Sequence, residues 1–165
     1  IDNSFAKKKS MLNIIEKELF EYVRETREKE KSVIYIPHVV NNKNVFGAGF
    51  VVPFTKHYPI SKASYHQWFN DTTPQFGQIK TVQLKADPDL FVIHMLAQNG
   101  IGGKRPLKYD ALVDCMRLVA NKIQKGERII APAFGSGLAG GSFDFIQALI
   151  EDIWDKLDTT ICRIN

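Results

Sequence analysis

The sequence predicts an α/β fold in which a sheet is covered by helices on its faces. Three observations carry that prediction. Short β-branched and aromatic runs, "SVIYIPHVV", "FVIHML" and "RIIAPAF", alternate along the chain with amphipathic helical patterns such as "PLKYDALVDCMRLVANKIQKG" and "SFDFIQALIEDIWDKL". That alternation is the signature of strands layered against helices. Glycine loops follow two of the strands and lead into helices. No linker, repeat or low-complexity tract divides the 165 residues, a length that suits one domain with its own core.

Taken in order, "MLNIIEKELF" suits either a short strand or a helix start, and "FEYVRETREKEKS" is charged, helix-prone and expected to be solvated. "SVIYIPHVV" reads as a buried strand ended by Pro37 and the polar "NNKN". "VFGAGFVVPFTKHYP" opens with glycines and continues as a helix with Pro53 in or near its first turn, where proline is tolerated. "ISKASYHQWFND" is a second helix closed by the "DTTPQFG" loop, and "QIKTVQLKADPDLFVIHMLAQ" is two strands around an "ADPD" turn. After "NGIGGKR" comes an amphipathic helix with Pro106 at its start and Gly126 as its stop. The strand "RIIAPAF", a glycine loop, the last helix and a final strand "TTICRIN" complete the chain.

Hydrophobic content of 44% and charged content of 24% are ordinary for a globular domain. No apolar run reaches the roughly 18 to 20 residues that span a bilayer, and the N-terminus lacks a signal-peptide core. Neither a membrane nor export is expected. Cys115 and Cys162 are too few for a disulfide framework and read as core residues in a reducing cytoplasm. No CxxC or HExxH suggests a metal, and no cofactor is expected. The net charge is +4 with a pI of about 9.0, but "IDNSFAKKKS" alone carries +2 of it. Residues 1–10 are expected to be a leader or extension before Met11, with a single domain over 11–165. Basicity is thus weak evidence for nucleic acid. Nothing resembles a dimerisation heptad, so a monomer is expected.

The segment "PAFGSGLAGGSFDF" places Gly135, Gly137, Gly140 and Gly141 between a strand and a helix. Bare backbone running into a helix N-terminus offers N–H groups and the positive end of a dipole, a place to hold an anion. "NNKNVFGAGF" is a second such loop. A P-loop needs GxxxxGK[ST], which is absent. Gly135, Gly137 and Gly140 fit the spacing of the dinucleotide fingerprint, but that motif needs further strands, and one helix and one strand follow.

Together these segments resemble a macrodomain, the ADP-ribose-binding α/β module, from about Leu12 to Asn165. "LNIIEKELF" resembles its first strand and acidic corner, "HVVNNKNVFGAGF" its first ligand loop, "PAFGSGLAGG" its second and "TTICRIN" its last strand. The nearest flavour is the branch of yeast-type ADP-ribose-1''-phosphate phosphatases, which likewise has His at the strand end and "YP" closing the first helix. The resemblance implies a three-layer α/β/α fold with a central mixed sheet. It implies a diphosphate wrapped by the second loop, from Phe134 and Gly135 through Ser136, Gly137, Leu138, Ala139 and Gly140 to Gly141. Gly47, Ala48, Gly49 and Phe50 close the opposite wall. Glu18, beside Leu19, falls where the family has an Asp that accepts from the adenine amino group. Phe143 or a Phe of the first loop is expected to stack on the base.

Asn41 falls where the family has an Asn on the distal ribose, and His38 faces that ribose as a candidate acid or base. The expected activity is removal of phosphate from ADP-ribose-1''-phosphate, by His38 and Asn41 and without a metal. The alternatives are removal of ADP-ribose from protein or acyl esters, and a non-catalytic ADP-ribose reader; RNA binding ranks last. One hydrolase branch uses a Lys and an Asp where Gln98 and Ala139 stand here, so that covalent route is not expected. Lys104 and Arg105 are read as solvent-facing, or as charge for a terminal phosphate. His57 and His66 read as surface residues, His94 and Asp144 as structural.

Overall fold

The computed structural model describes residues 11–102 and 106–164. The expected leader (residues 1–10), Lys104, Arg105 and Asn165 lie outside the described residues. The elements are β1 (Leu12–Ile15), α1 (Leu19–Lys29), β2 (Ile34–Asn41), α2 (Val51–His57), α3 (Pro59–Asp71), β3 (Ile79–Gln83), β4 (Leu90–Gln98), α4 (Tyr109–Lys122), β5 (Arg128–Pro132), α5 (Phe143–Ile153) and β6 (Asp158–Cys162). The strands form one sheet in the order β1-β6-β5-β2-β4-β3. All neighbours run parallel except β3, which pairs antiparallel with β4 through the "ADPD" turn. The fold is the mixed three-layer α/β/α sandwich that the sequence predicts.

The alternation of side chains along each strand builds two cores. Tyr35, Ile93, Met95, Ala97, Ile129 and Ala131 pack on one face against α4 and α5. Ile34, Ile36, Val92, Leu96 and Ile130 pack on the other against α1, α2 and α3. The central strands are covered on both sides, which is why they read as continuous apolar runs.

Four local readings are refined. "MLNIIEKELF" is strand then helix, divided where Glu18 caps α1 by accepting from the N–H groups of Phe20 and Glu21. Helix α1 is not simply solvated, since Leu19, Phe20 and Val23 enter the core. α4 begins at Tyr109, because residues 106–108 are extended: Leu107 bridges to Gln98, and the Lys108 N–H reaches the Ala97 carbonyl. Pro37 does not end β2, which continues to Asn41.

Proline is tolerated there for a reason written in the ladder. The Ile34 N–H donates to Asp89 on the β4 side, and the Val33 carbonyl accepts from Arg128 on the β5 side. Successive amides alternate, so the amide of residue 37 faces β5, and there pairing ends at Tyr35–Ile129. The ladder loses nothing at Pro37.

Ile130, fully buried beneath α1 to α3, provides a test of this core. Ile130→Ala is expected to cost about 2–5 kcal/mol, read as a lower denaturant midpoint with an unchanged slope.

Candidate functional site

Beyond Tyr35, β2 and β5 part, and a crevice of about 490 Å³ opens between their carboxyl ends. It sits where the chain's connections diverge. From β2 the chain proceeds to β3 and β4 on one side of the sheet, and from β5 to β6 on the other. Open α/β sheets bind ligands at such switch points.

The first wall is the loop after β2, from Val45 to Val51. Asn41 shapes it. Its Oδ1 accepts from the Lys43 N–H at 2.8 Å and lies 2.9 Å from the Tyr65 hydroxyl, and its Nδ2 donates to the Val45 carbonyl at 2.7 Å. Asn42 ties this loop to the end of β4 by accepting from the Gly100 N–H at 2.8 Å.

The second wall is the loop from Pro132 to Ala139. The Gly141 N–H closes it on the Gly135 carbonyl at 2.8 Å, and the Leu107 N–H holds the Ala139 carbonyl at 3.0 Å. Gly135 has φ +76°, in the left-handed region that favours glycine. A Cβ on Gly141 would lie 2.6 Å from the Gly135 carbonyl oxygen. The two walls meet at one point, where Leu138 Cδ1 stands 2.8 Å from the place a Cβ on Gly49 would take.

These loops leave their main chain unspent. Among the described residues, the N–H groups of Phe46 to Phe50 and of Gly135 to Ala139 donate to no protein acceptor. Among the described lining residues there is no carboxylate, and His38 is the one titratable side chain. The arrangement offers dipoles to an anion without opposing charge.

No family model matches the chain, and no curated protein does. Solved structures do. A protein of unknown function from Bacteroides thetaiotaomicron superposes with a TM-score of 0.81 at 23% identity, covering 94% of this chain and 99% of that one. A macrodomain protein from Streptomyces coelicolor gives 0.73 at 24%, covering 93% and 99%. Thermosipho africanus DarTG, solved in complex with ADP-ribose, gives 0.74 at 14%, covering 93% of this chain and 43% of that one. The chain has the macrodomain fold. The likeness establishes the fold and not a branch within it.

Within this macrodomain fold the crevice gathers most of the residues singled out in the sequence: His38, Asn41, Gly47, Ala48, Gly49, Phe50, Phe134, Gly135, Gly137, Leu138 and Ala139. Ser136, Gly140 and Gly141 support it from behind, Ser136 by turning its hydroxyl onto the Ala133 carbonyl at 2.7 Å. Glu18 lies in a neighbouring groove beside α1, with Phe20, His57 and Tyr58, and its carboxylate serves as the cap of α1. Leu19 is buried. The two depressions adjoin through aromatic rings: Phe50 of the crevice lies parallel to Phe20 of the groove, with centroids 6.0 Å apart. Phe143 is buried under Arg163, away from the crevice. Gln98 lines the crevice and turns its amide onto the Gly100 carbonyl.

His38 differs most from its expected setting. It is 2% exposed, and its ring is enclosed by Phe46, Phe50 and Phe54. Its Nε2 lies 2.6 Å from Nδ1 of His94, its register partner on β4, and His94 Nε2 lies 2.9 Å from Ser64 Oγ on α3. Burial, reinforced by His94, holds His38 well below the ordinary histidine range. Burial holds His94 at about 3, with Lys80 adding in the same direction. Both rings are neutral. The sequence placed each histidine on its strand, but nothing in it set the two in register. Both cysteines are buried and unpaired, and burial pushes each thiol up to about 12.

Two outcomes follow. In the unfolded chain both imidazoles take up protons below about pH 6.5, and in the fold they do not. Their contribution to stability is therefore complete above that pH and is lost progressively as the pH falls below it, for His94 down to about 3. Denaturant midpoints across this window should decline toward acid, and His94→Asn should remove about one proton from the slope. Gly141→Ala should lower the melting temperature by moving Leu107 and the Gly135 carbonyl, a change visible in differential scanning calorimetry.

Proposed function

We propose that the crevice binds ADP-ribose or a close derivative, with the diphosphate held by main-chain N–H groups of the two glycine loops. The observation that carries this reading is the pair of loops, each with five consecutive N–H groups that find no acceptor among the described residues, bounding one crevice at the switch point. Glycine matters here because a side chain would hold the backbone off the phosphate oxygens. The ADP-ribose complex of the Thermosipho neighbour supports the ligand class.

The distal ribose then sits toward β2, beside His38 and Asn41. Asn41 spends most of its amide on the loop and retains one Nδ2 hydrogen for a ribose oxygen. The adenine extends over Phe50 toward the groove that contains Glu18. A carboxylate oxygen has more than one lone pair, so Glu18 can cap α1 and still accept from the adenine amino group.

Removal of phosphate from ADP-ribose-1''-phosphate is a second reading, favoured by the unpartnered Nδ1 of buried His38, which could take a proton from water. Against it stand the depressed basicity of that ring and the absence of any other titratable group among the described lining residues. Binding without turnover accords better with this set of groups.

Isothermal titration with ADP-ribose, with AMP and NAD as controls, tests the binding. Micromolar ADP-ribose binding with much weaker AMP is expected; no heat at millimolar ADP-ribose would overturn the reading. Phosphate release from ADP-ribose-1''-phosphate tests the second reading. Release that His38→Ala abolishes while ADP-ribose still binds would establish the phosphatase and displace the reader.

A further inference from the structure

We propose that His94 and Ser64 are positioning residues that fix His38 as a hydrogen-bond acceptor, so that the inner end of the crevice takes a hydroxyl in preference to an ionised phosphate. The inference rests on ADP-ribose binding in this crevice and specifies which end group the site accepts.

The proton order follows from the partners. Ser64 Oγ donates to the Ser61 carbonyl at 3.0 Å, and the same carbonyl is a hydrogen-bond partner of His94, a role that only an N–H of that ring can fill. Ser64 Oγ must then accept from His94, which places the single N–H of that neutral ring on Nε2. His94 Nδ1 is left as a lone pair, and His38 donates to it from Nε2. The remaining ring nitrogen, His38 Nδ1, is a lone pair that is buried and has no partner among the described residues.

A buried acceptor without a donor is unfavourable. The rings of Phe46, Phe50 and Phe54 around His38 supply no donor, and His38 forms part of the crevice wall. The group that completes Nδ1 therefore comes from the crevice. A ribose hydroxyl or a water brings a proton. A fully ionised phosphate brings only acceptor oxygens and negative charge, and meets a lone pair in an apolar enclosure. Ser64, on α3, thus acts on the ligand through two imidazoles without touching it.

The test combines ring-nitrogen NMR of the full chain with titrations of ADP-ribose, ADP and ADP-ribose-1''-phosphate. In the free protein His38 Nδ1 is expected to resonate as an unprotonated nitrogen, and to shift on adding ADP-ribose but not ADP, which lacks the distal ribose. Wild type should bind ADP-ribose more tightly than its 1''-phosphate. Ser64→Ala removes the acceptor that orders His94. It should weaken ADP-ribose about fivefold, leave ADP unchanged and narrow the preference against the phosphate. Ser64→Thr, which keeps the hydroxyl, should restore all three. A proton on His38 Nδ1 in the free protein, or an Nδ1 resonance unmoved by ADP-ribose that does bind, would overturn the inference alone. Absence of ADP-ribose binding would overturn the proposed function, and with it the hydroxyl preference. The proton order would still be read from the free protein.

Discussion

The parting of β2 from β5 after one short stretch of pairing governs the rest of the molecule. Two adjacent central strands in a sheet covered on both faces have every reason to continue their ladder, since each unmade backbone hydrogen bond in a dry interior is costly. Here the ladder stops at Tyr35–Ile129, and Pro37 turns toward β5 the one amide of β2 that carries no hydrogen. The gap so opened lies at the carboxyl ends of the strands, beyond the packed cores. What bounds it is main chain from two loops.

Those loops are held by side chains of the strand ends and helices and by neighbouring backbone, which leaves their own N–H groups unengaged. Tyr65 from α3 and the Asn41 amide brace the first. Leu107, extended ahead of α4, and Gly141, just before α5, brace the second. The same bracing extends beneath the floor, where His38, His94 and Ser64 link β2, β4 and α3 through neutral hydrogen bonds. In an enclosure of phenylalanine rings a charged imidazole would be strongly disfavoured, so the network acts through direction and not through charge.

Much of this was legible in the sequence, and the limits are physical. Strand and helix alternation showed itself because the central strands are apolar throughout and α4 and α5 keep a helical period. The glycine loops showed themselves because few other reasons place four glycines in "GSGLAGG". Pro37 was misread as a strand end because the rule against proline in central strands assumes a partner on each side, and sequence does not reveal where a partner leaves. The partnership of His38 with His94 depends on strand register, and that of His94 with Ser64 on how α3 docks. Neither has a local signature. The cap role of Glu18 was hidden for a different reason: a carboxylate before a helix serves its N-terminus and a ligand equally well in sequence terms.

Recognition by main chain has a further consequence for how such a chain can diverge. Every residue type except proline supplies the same N–H, so a binding surface of this kind constrains the sequence only where the backbone is left-handed or a side chain would intrude on the fold or on the ligand, as at Gly49, Gly135 and Gly141. Elsewhere in the loops, substitution can proceed without altering the groups that face the crevice. The information that specifies the site resides largely in backbone shape. Shape is what the chain shares with its structural neighbours at identities of 14 to 24%.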